Sequence, residues 1–217
     1  MENKDKVVWI MGASSDIGKA TAKLLLEYGY VVYASARRKE KIMDLKRLGA
    51  QIMMTDITKD DEMQSGIDEI IANEGRIDIL VNSAGFELLG AIEDATILQA
   101  KYQFDVNVFG MVRLSQLVLP YMRRQKSGKI VMISSIDSNK EVELSGWNKA
   151  SSYALEAISN SIRKEAQLSG INVLLIEPDG VKSEWSTIAA ESVHKISEGR
   201  AYSTMAEQFW HSQSRSF

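Results

Sequence analysis

Short apolar runs of strand character alternate along the chain with longer stretches of helical period, and no other feature constrains the fold as tightly. VVWIMGA is followed by IGKATAKLLLEYG, VVYASA by RRKEKIMDLKRLG, and QIMMTD by DDEMQSGIDEIIANEG. IDILVNSAG precedes a long helix from about Thr96 to Arg124, KIVMISS precedes SGWNKASSYALEAIS, and INVLLIEP closes the series. The runs are near-continuous in hydrophobicity, so both faces of the strands are expected to be covered. Strands separated by helices run parallel with right-handed crossovers. The expectation is an α/β fold: a Rossmann-type, doubly wound parallel sheet of about six strands with helices on both faces. No low-complexity linker or internal repeat divides the chain, so residues 1–217 are read as a single domain.

At 217 residues the chain buries a substantial core without staples. With 45% hydrophobic and 25% charged residues and a formal net charge of −3, it offers no electrostatic case for nucleic acid or an anionic membrane surface. Zero Cys removes disulfides, thiol catalysis and Cys-ligated metals together. The two His, His194 and His211, both lie near the C-terminus, which argues against a His triad or multi-His metal site; no metal is expected. The opening MENKDKVVWIMGA has too short an apolar run for a signal peptide, and no window reaches the length of a spanning helix, so a cytoplasmic location is expected.

In an open parallel sheet, ligands bind at the C-terminal strand ends where the strand order reverses. GASSDIG, Gly12 to Gly18, occupies that place after the first strand. Its glycines permit close approach of backbone to a phosphate, and the following helix supplies N–H donors and positive potential. A tight βα turn also wants glycine for steric reasons alone. After the second strand the chain reads YASARR, where an NAD-binding protein commonly carries an acidic residue. Arg37 and Arg38 either hold a 2′-phosphate, which points to NADP, or begin a solvated helix.

GASSDIG, Asp56 in MMTDIT, NSAG at Asn82 to Gly85, Asn107 in DVNVFG, ISS ending at Ser135, and IEPDGVKS occur in an order and spacing that resembles the short-chain dehydrogenase/reductase family over roughly residues 6 to 185. That resemblance implies a carbonyl/alcohol oxidoreductase using NADP, with NAD as the alternative. It implies cofactor contacts from Gly12, Ser14, Ser15, Asp16, Ile17 and Gly18 in the first turn. Asp56 and Ile57 would lie by the adenine, with Asn82, Ala84 and Gly85 at the centre and Pro178, Gly180 and Val181 after the sixth strand. The family's active site is a Ser, a Tyr, a Lys and an Asn. Ser135 and Asn107 match the first and last.

Within SGWNKASSYALEAIS the family's YxASKxAL aligns only with NKASSYAL, which puts Asn148 at the Tyr position and Ser152 at the Lys position. The thirteen-residue step from Ser135 to Asn148 agrees with that register. Lys149 and Tyr153 are each one position further on, about 100° round the helix, and are expected at its surface. An Asn amide has no usable acidic proton, so a general-acid contribution of about 10²- to 10⁴-fold is forfeited. Ser152 brings no positive charge. Asp16 stands at the family's middle glycine, where its carboxylate opposes a pyrophosphate; if the position needs positive φ, Asp tolerates it better than most residues. Met11, Ser83 and Asp179 are further departures, at the family's Thr, second Asn and Gly.

After Ser183 no convincing seventh strand follows, and residues 183–217 are read as a divergent or truncated substrate-covering segment. Trp185, Phe209 and Trp210 either line a substrate pocket or dock that segment. The expected partners are a small carbonyl or alcohol substrate and a second copy of the chain, as homodimer or homotetramer. The latter rests on the family and on Phe104, Val108, Met111 and Val112 facing one way and Val106, Phe109 and Leu117 another. The small stripe Ala150, Ala154, Ala157 and Ser161 would pack on the sheet or a partner. Three functions remain open: a catalytically impaired NAD(P)(H)-binding homologue, a still-active NADP-dependent reductase, and a non-catalytic dimerisation partner.

Overall fold

The computed structural model describes residues 4–134, 143–178 and 192–214, with side chains to 211. Six parallel strands, β1 (Val7–Met11), β2 (Val31–Ala36), β3 (Gln51–Met54), β4 (Ile79–Asn82), β5 (Gly128–Ile133) and β6 (Ile171–Ile176), form one sheet in the order β3-β2-β1-β4-β5-β6. The order reverses between β1 and β4. Met11 pairs with both Ser35 and Asn82, so the strand ends that flank the reversal finish level.

One sheet face is packed by Trp9, Met11, Leu80, Ile130, Met132 and Val173 against α3 (Asp60–Glu74), α5 (Met111–Gln125) and α6 (Gly146–Gln167). The other face, with Val8, Ile10, Val32 and Ala34, meets α1 (Asp16–Glu27) and α2 (Met43–Arg47). β1 is buried at every residue, as its unbroken apolar run predicts. β6 departs from that expectation: Leu174 and Ile176 are 41% and 46% exposed, because among the described residues nothing covers that face at the sheet's edge.

RRKEKIMDLKRLG yields less helix than its period suggests. A 3₁₀ turn (Lys39–Ile42) leads into the five residues of α2, with no side-chain cap at either start. The long helix expected from Thr96 is interrupted. A capping box joins Thr96 and Gln99 at the start of α4 (Ile97–Phe104), and then Asp105–Gly110 forms a π-helical turn before α5. That turn advances the register, so the two expected apolar faces do not separate: Val106, Val108 and Met111 are all buried, whereas Phe109 is 59% exposed. Ala150, Ala157 and Ser161 are exposed on α6 and turn away from the sheet.

Beyond β6 the described chain forms a helix over 192–197, α7, and then α8 (Ser203–Ser214). Phe209 packs against a small cluster containing Leu89, Leu144, Val193 and Ala206. The Trp210 ring lies 6.4 Å from that of His194. Trp185 falls outside the described residues.

Candidate active site

The reversal between β1 and β4 opens a cleft of about 220 Å³. Its floor is the first turn. The amides of Gly12 and Ala13 both donate to the Ser35 carbonyl at 3.0 and 2.9 Å, and Ser83 donates from its amide to the Met11 carbonyl at 2.8 Å. Gly12 has φ +87°, and a Cβ there would run into the backbone of Ser83 and Ala84. A Cβ on Gly18 would strike the Gly12 carbonyl. Both glycines are therefore required by the turn itself.

Ser15 caps α1, accepting from the Gly18 amide at 3.0 Å and donating to the Gly12 carbonyl at 2.8 Å. Its single proton is thereby used, so the 3.1 Å contact with Ser83 is a bond that Ser83 donates. Ser83 is thus part of the turn. Asp16 is the first residue of α1, with ordinary helical φ; the only positive-φ non-glycine residues described are Lys126 and Leu144. The question of a strained backbone at Asp16 is resolved by this: the position costs nothing sterically, and the carboxylate suits the helix's positive end. It also sits on the cleft wall, where an anionic ligand would meet it.

Gly12, Ser14, Ser15 and Asp16 form one wall of the cleft, Arg37, Arg38, Asp56 and Ile57 the next, and Ala84 and Gly85 the third. Ile17, Gly18 and Asn82 lie behind these walls. Asn82 is fully buried, donating from Nδ2 to the Met111 carbonyl and Ser115 Oγ, with Oδ1 unpartnered. Asp56 holds its own loop, accepting at Oδ1 from the amide and hydroxyl of Thr58 at 2.9 and 2.8 Å. Arg37 donates from Nη1 to Tyr102 Oη at 2.7 Å. Pro178 lines neither described cavity; Ser135, Gly180 and Val181, and with them Asp179, lie outside the described residues.

A second, much smaller cavity of about 20 Å³ brings Asn107, Asn148 and Ser152 together with Ser134, Ser151 and Phe86. Asn107 lies on the π turn and grips Phe86 from both ends: Nδ2 donates to the Phe86 carbonyl at 2.8 Å, and the Phe86 amide donates to Oδ1 at 3.1 Å. Asn148 is 4% exposed and accepts at Oδ1 from Gln103 Nε2 at 2.9 Å. Ser152 donates back to the Asn148 carbonyl at 3.1 Å, a bond within its own helix. Tyr153 is 49% exposed, and neither it nor Lys149 borders this cavity.

Four residues of the site escape the sequence reading. Gln103 is completely buried: Nε2 also donates to Ser151 Oγ at 3.0 Å, while Oε1 accepts from the Leu88 amide at 3.1 Å. Phe86 and Glu87 border both cavities, and Tyr102 reaches Arg37 while its ring lies 5.4 Å from that of Phe86. Phe86 and Glu87 directly follow NSAG, which is signal enough to place them near the cleft. Gln103 and Tyr102 carry no such signal, because only the fold brings α4 to β2 and α6.

A sequence profile described as short chain dehydrogenase matches residues 6–193. The chain belongs to the short-chain dehydrogenase family. A 3-ketodihydrosphingosine reductase from Bacteroides thetaiotaomicron is 35% identical over 173 residues, which is 80% of this chain and 63% of that protein. The chain thus spans less than two thirds of that relative's length. A short-chain dehydrogenase from Streptomyces avermitilis superposes with a TM-score of 0.79 at 34% identity, over 82% of this chain and 67% of that one. A metagenomic short-chain oxidoreductase in complex with NADP gives 0.78 at 26% identity, over 83% and 85%. Among the described residues of this short-chain dehydrogenase, no cluster of His, Asp and Glu could hold a metal, and no helix is long and apolar enough to cross a membrane.

Proposed function

We propose that this chain keeps the dinucleotide site of the short-chain dehydrogenases, prefers NADP(H), and is impaired in the proton-transfer half of carbonyl reduction. The observation that carries this reading is the state of Asn148 and Ser152. The first accepts from Gln103 and the second donates within its own helix, so both positions aligned with the family's acid and cation are neutral and engaged.

The cleft suits the ligand in most respects. Its walls combine a capped helix N-terminus, two arginines and a backbone held open by Gly12, the equipment for an adenosine phosphate. The carboxylates on its lining, Asp16 beside the helix N-terminus and Asp56 and Glu87 elsewhere, oppose an anionic ligand. The cleft's volume is below the roughly 300–1,000 Å³ of a whole-ligand pocket, so the described walls hold part of a dinucleotide. Once bound, the cofactor would supply a hydride. The protein's part is then to orient a carbonyl oxygen and deliver a proton to it, and Ser134, Asn107 and Asn148 offer hydrogen-bonding groups but no acid of suitable pKa.

Titration with NADPH, read by quenching of protein fluorescence, tests the binding half of the proposal. A panel of carbonyl substrates tests the other. Saturable quenching with no turnover above background is expected; absence of quenching refutes the binding, and turnover by the unmodified chain refutes the impairment. We further propose a homodimer or homotetramer, because Phe109 leaves a large apolar side chain exposed beside α6, whose outer face carries Tyr153 and small residues. Light scattering at micromolar concentration decides it, and a monomeric mass refutes it.

A further inference from the structure

We infer that Tyr102 is a positioning residue for Arg37 and thereby sets the preference of the cleft for nucleotides bearing a 2′-phosphate. The inference rests on the nucleotide-binding reading above and concerns a residue that belongs to none of the sequence motifs. Arg37 leaves β2 at the cleft wall, exposed, on a side chain with many rotamers. Tyr102, on α4, accepts its Nη1 proton at 2.7 Å. A guanidinium has five N–H donors in a fixed fork, so one bond to a phenol leaves a complete edge for a bidentate phosphate contact. The phenol therefore holds the arginine without consuming it.

Tyr102 is itself held. Its ring lies 5.4 Å from that of Phe86, tilted by 36°. Phe86 is gripped at both backbone ends by Asn107, and α4 is pinned by the Thr96–Gln99 box at its start and by buried Gln103 next to Tyr102. A phenol packed on one side against Phe86 thus reaches across to a flexible cation. Fixing one rotamer-rich side chain before the ligand arrives removes an ordering cost that binding would otherwise bear. Only a ligand group that meets Arg37 gains from this, so the effect falls on the 2′-phosphate and not on adenosine as such.

Calorimetric titration with adenosine 2′,5′-bisphosphate and with adenosine 5′-monophosphate, at one ionic strength, reads the two contributions apart. Tyr102→Phe keeps the ring beside Phe86 and deletes the acceptor. It is expected to weaken the bisphosphate by about threefold to tenfold, the scale of one immobilised side chain, and to leave the monophosphate unchanged. In an Arg37→Ala background the same change is expected to have no effect, since Tyr102 acts through Arg37. Equal affinities in wild type and Tyr102→Phe, equal weakening of both ligands, or tighter bisphosphate binding would each overturn the inference. A wild type that binds both ligands without preference also overturns it while leaving the nucleotide site standing. A wild type that binds neither removes the nucleotide-binding reading itself.

Discussion

Gln103 donates from Nε2 to the side-chain oxygen of Asn148 across 2.9 Å, joining α4 to α6 inside the protein. Gln103 is fully buried, and all three of its amide valences in use are satisfied within the protein, by Asn148, Ser151 and Leu88. A buried polar network of this kind stabilises when complete and costs heavily when opened. Asn148 is thus one half of an interhelical contact.

The first prediction concerns that pair. Asn148→Ala leaves a buried N–H of Gln103 without its acceptor, so a loss of about 1–3 kcal/mol is expected from urea unfolding midpoints. Asn148→Ala and Gln103→Ala should be non-additive, with a coupling of about 0.5–3 kcal/mol, because the two side chains bond each other. Additive losses would mean that the two side chains do not recognise each other.

Catalytic rescue follows with a complication. Asn148→Tyr with Ser152→Lys places an acid and a cation on one helix face, and under the proposed impairment more NADPH-dependent carbonyl reduction than in the unmodified chain is expected in a steady-state assay. The same double change removes the acceptor of Gln103, so its gain in rate should come with a lower unfolding midpoint. Lys149→Ala with Tyr153→Phe should leave any residual activity unchanged, since neither residue borders the cavity. Abolition of turnover by that surface pair would mean that the helix register is wrong.

The six parallel strands and the place of GASSDIG at the reversal were legible because periodicity and glycine placement are local and agree with each other. Local reasoning fails where neighbours decide. Leu174 and Ile176 look like core residues, yet are exposed because β6 is an edge. Val106 and Val108 look opposed on a regular helix, yet both are buried because the Asp105–Gly110 turn is π-helical. Asp16 looks like a strained intruder in a glycine position, yet it begins a helix with ordinary dihedrals. Gln103 and Tyr102 were invisible because their partners are 45 and 65 residues away.

Tyr33 gives a pH prediction. Its ring is 1% exposed in the core and its hydroxyl donates to Glu74 Oε1 at 2.9 Å; burial, chiefly, raises its pKa above the ordinary tyrosine value. A group whose folded pKa is raised contributes stability that is complete below the unfolded pKa, about 10, and is lost as pH rises through the folded one. Tyr33→Phe removes that contribution. Below pH 9 the variant should be less stable by about 0.5–1.5 kcal/mol, the worth of one hydrogen bond, and the gap should narrow as pH rises above about 10. A gap that stays constant across denaturant melts from pH 8 to 11 would show that the Tyr33 proton is not linked to folding.

Asp16→Gly separates folding from binding, because the carboxylate works in opposite directions on the two. As first residue of α1 it lies at the positive end of the helix, and its removal, with glycine's added flexibility, should cost about 1 kcal/mol of stability. On the cleft wall the same charge opposes a phosphate. The repulsion at contact distance is about 1 kcal/mol in water-like surroundings and about 4 kcal/mol at an effective dielectric near 20. Asp16 is exposed, so the smaller figure applies more closely, and NADPH should bind roughly fivefold tighter to the variant. Asp16→Asn separates charge from backbone: it should recover most of the affinity gain with less of glycine's penalty. A fluorescence titration beside a thermal melt gives both quantities from the same sample. Unchanged NADPH affinity in both variants would mean that the phosphates do not approach this residue, and that Asp16 serves the helix alone.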